Sequence, residues 1–278
     1  MQANKQKQWQ KFIVYFLLIA GAVVFMIPFL WMLSSSLKEL PQVFVFPPKW
    51  LPNPIRWDNY AQALERMDFL VALKNTLTIT VLCLVGQVGS AAFVAYSFAR
   101  IRFPGREFLF ALLLSTMMLP AQVTMIPLFI IFRDLGWVDT FKPLIVPAFF
   151  GGGAFFIFLL RQFFLTIPKD LEDAARIDGC GRFRIFLQIV LPLAKPALIT
   201  VSIFSFMSHW NDFMGPLIYL NSEQNRTLAI ALQSFQGQYT ADWNLLMAAS
   251  VVVLIPVLII FFTLQRYFVE GIVLSGLK

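Results

Sequence analysis

Side chains able to do chemistry are scarce in this chain, and they gather in few places. The run EDAARIDGCGRFRIFLQIVLPLAKP, Glu172 to Pro196, crowds charges, alanines and glycines between apolar stretches. Elsewhere the polar groups that stand out are Gln87, the pair Gln122 and Thr124, the serines Ser202, Ser205 and Ser208, and the sequence His209-Trp210-Asn211-Asp212. What they offer is hydrogen bonding. His209 is the only histidine, so a His-containing triad or an H-E-x-x-H zinc site has nothing to build on. No glycine is followed by lysine, so the loop G-x-x-x-x-G-K-[ST] that cradles nucleotide phosphates is missing. Asp212 alone does not make a two-aspartate intramembrane protease. Cys83 and Cys180 fall on different elements and are expected reduced, with no metal site between them. If ATP drives this protein, another chain hydrolyses it.

The elements that must carry these groups are membrane helices. The chain is 59% hydrophobic and only 13% charged, more apolar surface than a soluble core can hide. Windows without Asp, Glu, Lys or Arg mark the spans, since each such residue costs roughly 2.5 kcal/mol or more at a helix centre and a crossing takes about 20 residues. They predict an all-α protein of six transmembrane helices at about 12–34, 76–99, 108–132, 142–163, 192–213 and 245–268, of which 192–213 rests on the shortest charge-free window, Pro196–Asn211, and needs its flanks. Of the 22 basic residues, fourteen fall on the side that holds both termini and eight on the other. That bias places both termini, and the loop 165–190, in the cytoplasm. The net charge of +7 then reflects topology and anionic headgroups, with no nucleic acid needed. Chain start and first apolar run together resemble a signal peptide, but the run is too long and lacks a cleavage site, so it is expected to stay as span one.

Two outer connections are long. Residues 38–74 are rich in proline and tryptophan and turn helical through DNYAQALERM, as a surface-lying segment would. Residues 227–236 have the spacing of a short amphipathic helix. The third span, with MMLPAQVTMIPLF, combines two prolines with Gln122 and Thr124 and is the best candidate for a broken helix lining a pathway. In the cytoplasmic run, Pro168 suits a first helical turn, and Asp170, Glu172 and Asp173 match the positive end of the helix dipole. Leu171, Ala174, Ala175 and Asp178 share a face, with Gly179 at its edge, where small side chains admit a partner closely. Gly179 and Gly181 end the helix, and Pro192 stands where the next one begins.

From Asp173 to Pro192 the spacing D-A-A-x-x-x-G, then Ile189, Leu191 and Pro192, resembles the EAA motif of permeases in bacterial binding-protein-dependent ABC importers. Asp173 replaces the glutamate of the motif with charge retained, and Glu172 stands beside it to share the role. FLLRQFF, IVLPLAKPAL, WNDFMGPL and the tail QRYFVEGIVLSGLK are similar to the carbohydrate-uptake branch, in particular the shorter, second membrane subunit of maltose-type importers. That resemblance implies the MetI-like fold. It implies that Glu172, Asp173, Ala174, Ala175, Asp178, Gly179, Leu191 and Pro192 belong to a coupling element seated in an ATPase subunit. The tail would reach toward the ATPase dimer.

The same resemblance implies a second homologous permease subunit, two ATP-binding subunits and an extracytoplasmic sugar-binding protein. ATP and Mg would be bound by the ATPase partners, with no cofactor in this chain. Gln122, Thr124, Ser205, Asn211 and Asp212 are then candidates for the translocation path, where sugars need hydrogen-bonding groups. The plainer reading of each, an interhelical hydrogen bond holding the bundle, carries more weight. Other cargoes of the same machinery, a polyol or a glycerol-phosphate ester, stay open. So does an ATPase-independent channel or membrane scaffold. No span interior carries a basic residue, which favours a neutral cargo over a phosphate ester.

Overall fold

The computed structural model describes residues 2–237 and 241–276, with side chains described for 9–237 and 241–265. Four helices are long and apolar enough to cross a membrane, and two bent helix pairs raise the number to six. Among the described residues the only β pairing is an isolated bridge between Gln236 and Ala241. The chain divides into two compact units, Met1–Asp68 with Leu232–Ile255, and Phe69–Ala231 with Pro256–Lys278.

In the first unit, the span-one helix runs Gln2–Ser36 with Pro28 inside it. No part of its apolar window is buried within the chain, which fits a helix that is hydrophobic on every side and needs lipid or a partner around it. The proline-rich connection folds back onto the end of this helix. Ser34 donates to the Trp50 carbonyl, the Trp31 and Trp50 rings meet edge-on at 5.2 Å, and Asn59 donates to the carbonyls of Ser36 and Lys38, both at 2.8 Å. Asn59 sits in the predicted short helix, which spans Asp58–Arg66. Lys38 is buried with its Nζ 4.0 Å from the centre of the Trp31 ring, and burial pushes its ammonium pKa below the ordinary lysine value.

In the second unit, the span-two helix Phe69–Arg100 packs against the span-four helix Ala154–Thr166 and the span-five helix Lys195–Trp210. Ala91, Ala92, Ala95 and Ala99 meet Ile157, Leu160, Phe164, Ala197 and Val201 in the core. Small residues let the backbones approach where lipid offers no hydrophobic drive to associate. The closest approach is at Gly152, whose φ is +59° and where a Cβ would stand 2.4 Å from the Ala91 nitrogen.

Three of the predicted spans are not straight. The third runs Arg106–Ser115, then a 3-10 turn Thr116–Met118, then Ala121–Asp134, and the two arms are bent by 97°. Leu119, before Pro120, is extended with ψ 119°, as the proline ring demands of the residue preceding it. The fourth begins as Lys142–Ile145 and Val146–Phe149 and unwinds at Gly151, Gly152 and Gly153, all at positive φ, before Ala154–Thr166. Its inner carbonyls are met from span two, where Cys83 Sγ donates to Leu144 O at 3.2 Å and Ser90 Oγ to Ala148 O at 3.0 Å. Such irregular backbone survives at membrane depth only when it is satisfied in this way.

The fifth span differs most from the predicted 192–213. Helix runs from Arg182 through a π-helical turn Phe186–Val190 to Leu193, then bends by 80° into Lys195–Trp210. Pro192 stands in the first turn of the Leu191–Leu193 helix, as the sequence suggests, and Pro196 in the first turn of the crossing helix. The last helix runs Trp243–Gly276, and the short helix expected within 227–236 is Leu228–Gln233.

Candidate functional site: the charged loop before span five

The charged run folds as a short helix, Asp170–Ile177, with Asp170, Glu172 and Asp173 in its first turn and Arg176 in its last. It stops in the manner expected of a glycine after the cap. Gly179 has φ +82°, Gly179 N donates to Arg176 O at 3.0 Å, and Cys180 N reaches back to Ala175 O at 2.9 Å. These two bonds satisfy carbonyls that the helix end leaves open and form a Schellman motif.

The two faces of this helix differ in kind. Glu172 and Ala175 are buried, Ala175 within the core that holds Tyr96, Phe164 and Ile185. Leu171, Ala174, Ile177 and Asp178 are exposed, and Ile177 is 87% exposed. Among the residues expected on one docking face, Ala175 therefore points inward, while Ile177, whose apolar side chain amid charges was the available signal, takes a place on the outer face. An isoleucine this exposed on a helix in water suits a partner surface. Leu191 and Pro192 lie beyond the loop, on the helix that leads to the 80° bend. The tail Arg266–Lys278 lies outside the residues whose side chains are described.

The two adjacent acids are likewise separated. Asp173 is on the surface and pairs with Arg176 at 2.9 Å. Glu172 Oε1 lies 3.0 Å from Arg100 Nε, and the two side chains are 4% and 2% exposed. Arg176 approaches the other Glu172 oxygen at 3.8 Å. Arg100, the last residue of the span-two helix, also donates through Nη2 to Phe164 O at 2.6 Å and to Ile167 O. Its charge was legible in the sequence only as a topology signal.

The polar groups proposed for a path are not gathered into one cluster. Ser205 is fully buried and donates to Gln87 Oε1 at 2.7 Å, and His209 Nε2 lies 3.1 Å from the same oxygen. These bonds tie span five to span two. Ser202 bonds to Leu198 O on its own helix, and Ser208 is exposed. Asn211 donates to Met207 O at 2.8 Å, and Asp212 Oδ1 accepts from Gly215 N at 3.1 Å, so both finish the helix end. Gln122 and Thr124 are exposed on the arm after the 97° bend, and Thr124 bonds to Ala121 O. Among the described residues no hydrogen bond joins them to Gln87. No group of three or more His, Cys, Asp or Glu is placed to hold a metal ion among the described residues.

Elsewhere in the second unit, Asp139 ties the connection after the Ala121–Asp134 helix to the connection after the Met214–Tyr219 helix. Its φ is +61°, and its Oδ1 accepts from Asn221 N and Ser222 N, both at 2.9 Å, and from Asn225 Nδ2 at 3.1 Å. The Ser222 hydroxyl donates to the other oxygen. The Ser222 side chain first, then the backbone amides of Ser222 and Asn221, hold this carboxyl well below the usual carboxylate range.

Comparison with known proteins agrees with this architecture. Residues 87–273 match the model of the family described as binding-protein-dependent transport system inner membrane component. The chain is 38% identical over 228 residues to an arabinooligosaccharides transport system permease protein, AraQ, of Halalkalibacterium halodurans, covering 82% of this chain and 81% of that one. It is 32% identical to the diacetylchitobiose uptake system permease protein DasC of Streptomyces coelicolor, covering 90% and 91%. It is also 33% identical to the osmoprotective compounds uptake permease protein GgtD of Synechocystis sp., covering 99% and 95%. Among solved structures, a chain of a bacterial ABC transporter that imports the acidic polysaccharide alginate superposes with TM-score 0.80 at 27% identity, covering 92% of this chain and 95% of that one. Six apolar spans, a short charged helix with an exposed apolar face and these matches together make the chain a member of the family of inner membrane components of binding-protein-dependent ABC transport systems.

Proposed function

We propose that this chain is one of two permease subunits of an importer that carries a neutral sugar or oligosaccharide across the cytoplasmic membrane. The observation that carries the coupling half of this proposal is the Asp170–Ile177 helix, rooted by buried Glu172 and Ala175 and presenting Leu171, Ala174, Ile177 and Asp178 outward. An ATPase subunit receives that outer face. ATP and Mg are bound by two such partners, and a second permease and an extracytoplasmic binding protein complete the assembly. Both termini are cytoplasmic, as the distribution of Lys and Arg favours.

Transport follows from alternating access. Closure of the ATPase dimer around ATP draws the coupling helices together and turns the bundles outward. Hydrolysis returns them. The shift in equilibrium equals the difference in ATP affinity between the two states. For the cargo, support comes from relatives whose names specify arabinooligosaccharides and diacetylchitobiose, and from the lack of basic residues inside the spans. Gln122, Thr124, Asn211 and Asp212 are this chain's candidates to face a hydroxylated solute, the last three bonding, among the described residues, only to backbone within their own segments, whereas Ser205 is engaged with Gln87 on another span.

The test is co-purification with a tagged chain, followed by ATPase assays on the complex with sugars and polyols. A nucleotide-binding chain should co-purify. Hydrolysis should rise with one class of loaded binding protein, while this chain alone should hydrolyse nothing. An ATPase-active isolated chain, or solute flux with no nucleotide-binding partner, overturns the proposal.

A further inference from the structure

The coupling helix is joined to the membrane bundle by one guanidinium group. Arg100 closes the span-two helix, where a cation also meets the negative end of the helix dipole. Its Nη2 donates to the carbonyls of Phe164 and Ile167 at the end of span four, the first of which also accepts from Ile167 N at 3.3 Å. Its Nε faces Glu172 Oε1 at 3.0 Å, in the first turn of the Asp170–Ile177 helix. Span two, span four and the coupling helix thus converge on one planar group. Both side chains are almost wholly out of water, at 2% and 4% exposure. A buried pair like this contributes little net stability over an apolar replacement, and losing one partner strands the other charge. Its presence therefore points to a use beyond stability.

We infer that Arg100 is a positioning residue for energy coupling, which, through its buried pair with Glu172, transmits displacement of the coupling helix to the inner ends of spans two and four. Only Ile167, Pro168 and Lys169 connect span four to the coupling helix along the chain, and a three-residue link alone can flex. Together, the ion pair and the packing of Ala175 against the core remove that freedom. Arginine suits the task because its fork reaches a carboxylate and two carbonyls at once, whereas lysine offers a single point charge. Glu172, turned inward, acts on the bundle and not on the ATPase surface. This inference rests on the proposed coupling of the loop to an ATPase.

The experiment uses the complete importer in lipid nanodiscs. Four versions are compared: the unaltered chain, Arg100→Lys, Glu172→Gln and the double variant. Assembly is read from co-purifying ATPase, and coupling from the ratio of hydrolysis with and without loaded binding protein. If the unaltered complex shows no such stimulation, the proposed function fails before the inference is reached. Given stimulation, each single variant should assemble normally yet lose it by roughly tenfold, toward parity, within the usual range of coupling between sites. The double variant should be no worse than the more affected single, since the residues act as one pair. Normal stimulation in both assembled single variants overturns the inference, as do independent losses that add. Failure of both singles to enter the membrane would assign the pair to folding alone and also overturns it.

Discussion

Gly179 offers the most direct test of whether the loop docks onto another protein. Its φ of +82° lies in the left-handed region, and a Cβ built there meets no atom within 4 Å. Against the described residues, a Cβ at exposed Gly179 therefore costs only the left-handed penalty, roughly 1–2 kcal/mol. That is a modest part of the 5–15 kcal/mol typical of a folded domain, so Gly179→Ala and Gly179→Leu should both reach the membrane at near-normal levels. They share the backbone penalty and differ in bulk alone. If an ATPase surface closes over the exposed face, Gly179→Leu should abolish uptake and weaken ATPase co-purification, while Gly179→Ala retains a substantial part of both. Arg182→Ala, a surface control, should be mildest. Uptake and co-purification would be measured at matched expression. Normal transport by Gly179→Leu would refute docking at this surface. Equal loss in Ala and Leu variants would move the cause to the turn itself.

Ile177→Glu should leave membrane insertion intact and weaken association with the ATPase by roughly 10-fold to 100-fold, the worth of about 1.5–3 kcal/mol for an apolar side chain buried on docking; unchanged co-purification would remove Ile177 from the interface. A single cysteine at exposed Pro104, with Cys83 and Cys180 replaced, should resist an impermeant thiol reagent applied outside intact cells, and ready labelling would invert the topology. Asp139→Asn should lower the melting temperature at neutral pH. The native carboxyl is depressed below its unfolded value, so its stabilisation is complete above about pH 4 and fades as pH falls through the lower native value. The gap between the two melting curves should narrow below about pH 4, and a pH-independent gap would show that the carboxylate charge is not what holds Ser222 and Asn221.

The crossings were legible in the linear sequence because an unpaired charge in hydrocarbon is costly enough to mark its own absence over a span. The glycine stop after Ile177 was legible for the same kind of reason, since helix ends obey rules that reach only a few residues. A broken third span was expected from its two prolines, but a sequence holds no measure of the 97° that separates its arms. Pro192 and Pro196 each stand in a first helical turn, as the proline ring allows, but local rules do not say that the chain bends by 80° between Leu193 and Lys195; the fit of span five against span two decides that. The inward choice of Glu172 over Asp173 is likewise tertiary. Neighbours on a helix differ by about 100° in direction, and only the arrival of Arg100 from the end of span two selects which carboxylate leaves water. Gln87, Ser205 and His209 were each visible as polar residues in apolar windows, and whether they faced a solute or one another depended on which helices met. Periodicity and punctuation are local and survive in one dimension; partners distant in the chain are set by packing, and packing exists only once the helices have come together.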